Sequence, residues 1–176
     1  MDKVYLRAFE PDDYKTTIHW RKDESLWPLL GSQKHFVSQA YEKKWIEDAI
    51  NGKNGIKLAV CDKESHQHIG NVYLSKINNT YKSAEIGILI GERAFHGKGY
   101  GTAAIRLMLD YAFLELGMHR ITALILEDNI ASRRTFEKLG FKEEGLLRHS
   151  VFKGGQFRNQ IAVSLLDYEY AVVRGI

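Results

Sequence analysis

The chain has 176 residues, 44% hydrophobic and 27% charged, and we expect one globular domain over residues 1–176. Its net charge of +3, with no cluster of Lys and Arg, is too small to predict nucleic-acid binding. Cys61 is the only cysteine, so we expect no internal disulfide. The first residues contain no secretory signal core, and no apolar run reaches about 18 residues, so we expect a cytoplasmic protein without a membrane span.

The N-terminal part of the chain predicts a strand followed by two helices. Residues 4–9 alternate as in a strand, and residues 11–22 open with proline and two acids, which favour a helix start. Residues 23–37 contain proline and glycine and predict an irregular segment. Residues 38–50 are amphipathic, with Ser38 as the expected N-cap.

The central part predicts strands around one long helix. Residues 56–62, 68–77 and 83–90 are rich in β-branched and aromatic side chains and are separated by polar turns. Residues 102–116 have apolar positions at helical spacing, and the next strand covers 119–126.

The C-terminal part predicts a helix over 130–139 and then a β-hairpin that turns at 153–155. Only the unit formed by strand 83–90, helix 102–116 and strand 119–126 is a clear parallel crossover. The expected fold class is therefore α+β with a mixed sheet.

Three glycines lie where the central strand leads into the long helix. A helix start has unpaired N–H groups and the positive end of the dipole, and glycines let several such donors converge on one anion. The loop therefore predicts a pyrophosphate site, formed by Gly97, Gly99, Gly101 and the amides of Lys98, Tyr100 and Thr102.

Three other interpretations of the loop were weighed. A nucleotide-triphosphate loop has four residues between its first glycine and its Gly-Lys pair. Here five residues separate Gly91 from Gly97 and Lys98, so this motif does not match. A dinucleotide fingerprint matches Gly99–Ala104 formally, yet eight residues separate Ile90 from Gly99, where that fold turns tightly. The remaining alternative is a glycine-rich turn without a ligand.

Two segments together resemble the GNAT superfamily of acetyl-coenzyme A-dependent N-acetyltransferases. They are SAEIGILIGERAFHGKGYGTAAIRLMLDYAF and LEDNIASRRTFEKLGFKEEGLLR. The branch most similar contains ribosomal-protein, spermidine and amino-sugar acetyltransferases. The resemblance implies a mostly antiparallel sheet of about seven strands, splayed between 83–90 and 119–126.

The resemblance also implies how acetyl-CoA binds. The family's loop pattern falls on residues 96–101, with His96 in place of the usual Arg or Gln. The pantetheine arm is expected beside Ile88, Leu89 and Ile90, where it pairs like an added strand. Asn129 matches the asparagine that holds the arm from the other side, although it also suits a helix N-cap.

Acyl transfer to an amine needs a neutral amine, a polarised carbonyl and a protonated leaving thiolate. Glu85 is the candidate base, acting through water, and its alternative is a solvent-facing strand carboxylate. The family's usual acid is a tyrosine, but this chain has Phe136 there. Ser132 matches a serine of some relatives and is the candidate proton donor, with an ordinary first-turn hydroxyl as its alternative. Cys61 is expected to be a buried small hydrophobe.

The acceptor is expected to bind between residues 20–37 and the final hairpin. Residues 27–36 suit either a substrate lid or packing over the core. We favour a protein or peptide α-amine over a polyamine or an amino sugar, because Ser132 and the resemblance to this branch point there. Acids and bases balance in this segment, which does not favour a polycation. The chain has Asn159 and Gln160 where the branch often has an acid, so a carboxylate that could orient the substrate is missing. We expect no metal and no nucleic acid, and the branch suggests a homodimer. A dinucleotide-dependent oxidoreductase and an inactive CoA-binding module are the alternatives of other classes.

Overall fold

A computed structural model describes residues 3–32 and 34–175 of the chain. Positions 1, 2, 33 and 176 lie outside the described residues. The strands are β1 (Val4–Ala8), β2 (Ile56–Asp62), β3 (His68–Asn78), β4 (Ser83–Ile90), β5 (Arg120–Leu126), β6 (Lys142–Lys153) and β7 (Gln156–Leu166). The α-helices are α1 (Tyr14–Lys22), α2 (Gln39–Ile50), α3 (Tyr100–Asp110), α4 (Ile130–Lys138) and α5 (Asp167–Arg174).

The seven strands form one sheet in the order β1-β2-β3-β4-β5-β7-β6. Every neighbouring pair is antiparallel except β4 and β5, which are parallel. The expected α+β class with a mixed sheet is confirmed. A dinucleotide-binding fold needs successive parallel crossovers, and the described sheet contains only the one between β4 and β5.

Helices cover both faces of the sheet. The larger core lies under α3 and α5, where Ile105, Met108 and Tyr170 are almost fully buried. A smaller core lies under α2, where Ile46 packs near Cys61. Burial of each large apolar side chain contributes roughly 1.5–3 kcal/mol, so these contacts fix the helices against the strands.

Several element boundaries differ from the sequence expectations. The helix expected over 11–22 begins with a 3-10 turn at Pro11–Asp13, and the one expected over 102–116 begins at Tyr100 and becomes a π-helical turn at Tyr111–Glu115. Hydrophobic periodicity does not distinguish these helix types. The sequence analysis assigned nothing after Leu166, where the structure has α5.

Within the described residues, no helix combines the length and the apolar character needed to cross a membrane.

Candidate active site

Strands β4 and β5 separate after their first residues. Only Ser83, Ala84 and Glu85 pair with β5, whereas the opposite edge of β4 pairs with β3 as far as Ile90. Beyond Glu85, no described strand pairs with the β5-facing edge of β4. The backbone N–H and C=O groups of residues 86–90 on that edge therefore face a cleft, and an extended ligand can pair with them.

Two cavities meet at this cleft. The first, about 450 Å³ and here called the loop cavity, lies at the start of α3. The second, about 550 Å³ and here called the sheet cavity, lies over β2, β3 and β4. Both cavities are lined by the same six residues, Leu29, Leu30, Ile88, Leu89, Asn129 and Ser132. A single extended molecule can therefore reach from one cavity into the other.

The glycine loop forms one wall of the loop cavity. Gly97 and Gly99 have φ values of +69° and +85°, and a Cβ added to either would meet no atom within 4 Å. The first backbone bond of the helix is from the Ala103 N–H to the Gly99 carbonyl, and no backbone N–H of residues 97–102 donates to a described backbone carbonyl outside the helix. These free donors at the positive end of the α3 dipole fit a diphosphate.

Two side chains support the loop from behind. His96 Nε2 donates to the Ile90 carbonyl at 2.7 Å, and Lys3 Nζ donates to the Lys98 carbonyl at 2.9 Å. The His96 ring thus ties the loop to the end of β4. A contact between the His96 backbone and the bound anion stays a prediction.

Glu85 lines the sheet cavity at the last residue that β4 pairs with β5. Its Oε2 accepts a hydrogen bond from Lys76 Nζ at 2.8 Å, and its side chain is 24% exposed. The carboxylate is therefore neither a fully solvated strand residue nor a buried one. Both a water and an amine entering the cavity can reach it.

Tyr73 is a polar residue of the sheet cavity that the sequence analysis did not single out. It lies opposite Gly87, and a Cβ at that glycine would be 2.1 Å from the Tyr73 ring. Burial raises the pKa of Tyr73, Arg21 lowers it by less than burial raises it, and the Glu85 carboxylate adds a still smaller increase. Its hydroxyl is thus a neutral donor beside Glu85. Gly87, which leaves room for the Tyr73 ring, is the only sequence feature that could have indicated a role for Tyr73.

Asn129 and Ser132 lie at the junction of the two cavities. Asn129 Oδ1 accepts from the Ser132 N–H at 3.1 Å, so the N-cap interpretation of Asn129 is confirmed. Asn129 Nδ2 donates to the Leu29 carbonyl at 3.0 Å. No hydrogen bond joins the Ser132 hydroxyl to another described residue, which leaves it free to face a ligand.

Phe136 and Cys61 are apolar features of the structure. Phe136 is 3% exposed, packs edge-to-face on Phe141 and also lines the sheet cavity, where it has no proton to donate. Cys61 is fully buried, as the sequence predicts, and burial raises the pKa of its thiol.

In the segment over residues 27–36, some described residues pack over the core and others line the cavities, while the role of a substrate lid stays a prediction. Trp27 is buried and donates from Nε1 to the Arg21 carbonyl at 3.1 Å, so it packs over the core. Leu29 is exposed on one side and lines both cavities, and Lys153 Nζ holds the carbonyls of Leu30 and Ser32. Phe36 is 98% exposed and packs on no core.

The remaining wall of the sheet cavity comes from parts of the chain that carry no motif. Arg21 of α1, Trp45 of α2, Lys57 of β2 and Gln160 of β7 all line it. Gln160 is buried and accepts from the Ser150 hydroxyl at 3.0 Å. In the described part of the chain, no group of three or more His, Cys, Asp and Glu side chains is placed to hold a metal ion.

Comparisons with known proteins agree with this geometry. Residues 3–142 match the model of the acetyltransferase (GNAT) domain. The probable N-acetyltransferase YjcK of Bacillus subtilis is 39% identical over 171 residues, which cover 93% of this chain and 94% of that protein. The spermidine N(1)-acetyltransferase of Escherichia coli K12 is 34% identical over 110 residues, 62% of this chain and only 57% of that relative's length.

A solved structure gives the same fold. The spermidine N-acetyltransferase of Vibrio cholerae, in complex with CoA and spermine, superposes with a TM-score of 0.88 at 25% identity, over 97% of this chain and 99% of that one. The splayed sheet and the glycine loop at the start of α3 are thus part of a fold that binds CoA in that protein. The chain belongs to the acetyltransferase (GNAT) family, whose enzymes take the acetyl group from acetyl-CoA.

Proposed function

We propose that the chain transfers the acetyl group of acetyl-CoA directly to a primary amine, with a peptide or protein α-amine as the acceptor. The continuity of the loop cavity with the sheet cavity carries this proposal. The free amides of residues 97–102 would hold the diphosphate. The open edge of β4 at Ile88, Leu89 and Ile90 would pair with the pantetheine arm, with Asn129 on its other side.

The acceptor amine would enter from the sheet cavity. Glu85 takes a proton from the amine through a water, and the neutral nitrogen then attacks the thioester carbonyl carbon. A backbone N–H near Leu89 or Ile90 polarises the carbonyl oxygen. As the C–S bond breaks, the sulfur takes the hydroxyl proton of Ser132, which lies at the junction of the two cavities, and that hydroxyl is restored by the second proton that the nitrogen loses as the amide forms.

Tyr73 is the second candidate for the proton donor, since its neutral hydroxyl faces the same cavity. The variants Ser132→Ala and Tyr73→Phe each remove one hydroxyl and keep the remaining shape. We expect Ser132→Ala to lower kcat by about tenfold or more while KM for acetyl-CoA changes little. A larger effect of Tyr73→Phe, with Ser132→Ala near wild type, would reassign the donor.

Glu85→Gln tests the base. We expect kcat/KM to fall by about a hundredfold or more at pH 7 and less at pH values where the amine is already neutral. Lys76→Gln is the matched control, because it removes the ion-pair partner and leaves the carboxylate. If Glu85→Gln turns over alkyl amines as fast as wild type at every pH, Glu85 is not the base.

A polyamine acceptor is the second candidate function, favoured by the spermidine acetyltransferases among the relatives. A polycation calls for an acidic pocket, but Glu85 is the only carboxylate among the residues described at the sheet cavity. An acetyl-CoA consumption screen across peptides, polyamines and amino sugars separates the candidates. No turnover with any amine would instead favour a CoA-binding module without activity.

We also propose that residues 1–176 form a single domain, that the protein is cytoplasmic and that it forms a homodimer. Limited proteolysis, cell fractionation and sedimentation velocity test these three points in turn.

A further inference from the structure

Two cations that line the sheet cavity lie near the same aromatic ring, that of Trp45. The Arg21 guanidinium carbon lies 5.0 Å from the centroid of the Trp45 ring, and Lys57 Nζ lies 5.5 Å from it. Arg21, Trp45 and Lys57 all line the cavity. The indole therefore contacts two positive groups in a partly desolvated part of the cavity.

Arg21 is oriented by a buried carboxylate that uses only one of its nitrogens. Its Nε donates to Glu42, at 3.2 Å to Oε2, and Glu42 is fully buried. No described residue accepts a hydrogen bond from the two terminal nitrogens of Arg21. These nitrogens form the planar fork that binds carboxylates and phosphates in a bidentate manner.

Lys57 forms no ion pair with a described residue. Its Nζ donates to the Lys53 carbonyl at 3.0 Å. Burial lowers the pKa of Lys57, against an opposing attraction from Asp48. A ligand anion beside this ammonium would offset the cost of its desolvation.

Glu42 balances the charge of Arg21, whereas no described carboxylate pairs with Lys57. Glu85 already pairs with Lys76, and Gln160 is neutral. A groove that shares Arg21 with the cavity adds Lys22 and Lys34, of which Lys34 pairs with Glu24. The acceptor side of the site is thus net positive.

The strand register sets the distance between the cations and the base. Lys57 lies opposite Tyr73, and Tyr73 lies opposite Gly87, two residues from Glu85 on the same face of β4. With strands about 4.8 Å apart and a rise of about 3.3 Å per residue, the Cα atoms of Lys57 and Glu85 are roughly 12 Å apart. The two side chains can therefore contact opposite ends of one small molecule.

We propose that the acceptor carries an anionic group, a carboxylate or a phosphate, which Arg21 and Lys57 bind while its amine reaches Glu85. This inference rests on the proposed function and narrows its acceptor class. It separates the chain from relatives named for a polycationic acceptor.

Matched acceptors test the inference with full-length protein. Glycylglycine and glycylglycinamide differ in one carboxylate, and glucosamine 6-phosphate and glucosamine differ in one phosphate. The two pairs separate a carboxylate source of the anion from a phosphate source. We expect kcat/KM to favour the anionic member of at least one pair by about tenfold or more.

Variants locate the preference. Lys57→Gln should remove most of the difference in kcat/KM between the two members of a pair, mainly by raising KM for the anionic member. Arg21→Gln with Glu42→Gln removes the fork without leaving a buried charge unpaired, and should act in the same direction. Lys63→Gln, which removes an exposed cation at the far end of the β2–β3 hairpin, is the matched control and should behave as wild type.

Two failures are distinguishable. Turnover of the neutral members or of spermidine at equal or higher kcat/KM would overturn this inference and leave the proposed function standing. If no amine is acetylated, the proposed function fails, and titration calorimetry of each anionic acceptor into the CoA-saturated protein decides the inference. Binding that Lys57→Gln abolishes supports it, and equal binding of both pair members overturns it.

Discussion

At the scale of single residues, Gly99 shows why the loop needs glycine. Its φ of +85° lies in the left-handed region, at the N-cap of α3, and an added Cβ would be in open space. Substitution is therefore opposed by backbone strain and not by a collision. The strain would turn the amides of the loop away from a common anion.

Gly99→Ala is expected to lower the free energy of unfolding by about 1 kcal/mol and to weaken CoA binding by about tenfold or more. Gly117→Ala is the matched control, since Gly117 has a φ of +60° with no atom within 4 Å of an added Cβ and lies at the other end of the helical segment. Thermal unfolding and titration calorimetry measure the two effects. Equal loss of CoA affinity in both variants would show that the loop has no specific role.

Other residues of the site had no local signal. The glycine loop lies in a motif at the start of α3, and Asn129 and Ser132 lie in a second motif at the start of α4, so the sequence indicated them as candidates. Arg21, Lys57 and Tyr73 could not, because they come from three elements and meet only through sheet register and helix packing. In the sequence, each of these three residues occupies an ordinary position of an amphipathic helix or a strand.

At the scale of elements, Asp13 joins β1, the first 3-10 turn and β3. Arg7 binds its carboxylate through two nitrogens at 2.7 and 2.8 Å, the Glu10 N–H donates at 2.8 Å, and His68 Nδ1 lies 3.3 Å away. Burial alone would raise the pKa of Asp13, but the hydrogen bonds from Arg7 and Glu10, together with the nearby His68 ring, hold it well below its usual range.

This lowered pKa predicts the sign of a pH effect. The ionised carboxylate stabilises the fold above the ordinary Asp pKa of about 3.9, and the contribution is lost as pH falls further. The wild type should lose free energy of unfolding between about pH 5 and pH 2, and Asp13→Asn should lose less. At pH 7 that variant should be less stable by about 3 kcal/mol. Denaturant unfolding across pH measures this, and parallel pH curves for both proteins would contradict the assignment.

Asn129 couples the start of α4 to the segment over the cleft, through the Ser132 N–H and the Leu29 carbonyl. Asn129→Asp keeps the N-cap acceptor and removes the donor to Leu29, whereas Asn129→Ala removes both. We expect a stability loss of about 1 kcal/mol in the alanine variant only. Both variants should weaken CoA binding, because we propose that this amide also holds the pantetheine arm. Unchanged CoA affinity in both would exclude that second role.

At the scale of the whole molecule, function depends on two neighbouring strands that separate. The strand and helix order followed from alternation, helical spacing and glycine stops, so α+β architecture was predictable from the sequence. The extent of the β4–β5 pairing was not, because strand residues look alike whether their backbone edge is paired or open. The family resemblance supplied the splay, and the register of three residue pairs confirms it.

The whole fold also explains why the acceptor site is harder to predict from the sequence than the acetyl-CoA site. In the proposed function, one loop and one strand edge form the donor side, whereas α1, α2, β2, β3, β4 and β7 all contribute to the sheet cavity. Binding energy there comes from a few charges whose net sign depends on tertiary pairing, such as Arg21 with Glu42. Sequence composition near residue 21 gives only the balance of charges, not which of them are free.

The central claim is that backbone amides at the start of α3 bind the diphosphate of acetyl-CoA beside the open edge of β4. A crystal structure of the complex tests it most directly. We expect diphosphate oxygens within about 3 Å of amide nitrogens of residues 97–102, with the pantetheine arm along residues 88–90. A complex in which the diphosphate binds elsewhere, with these amides facing solvent, would contradict the account.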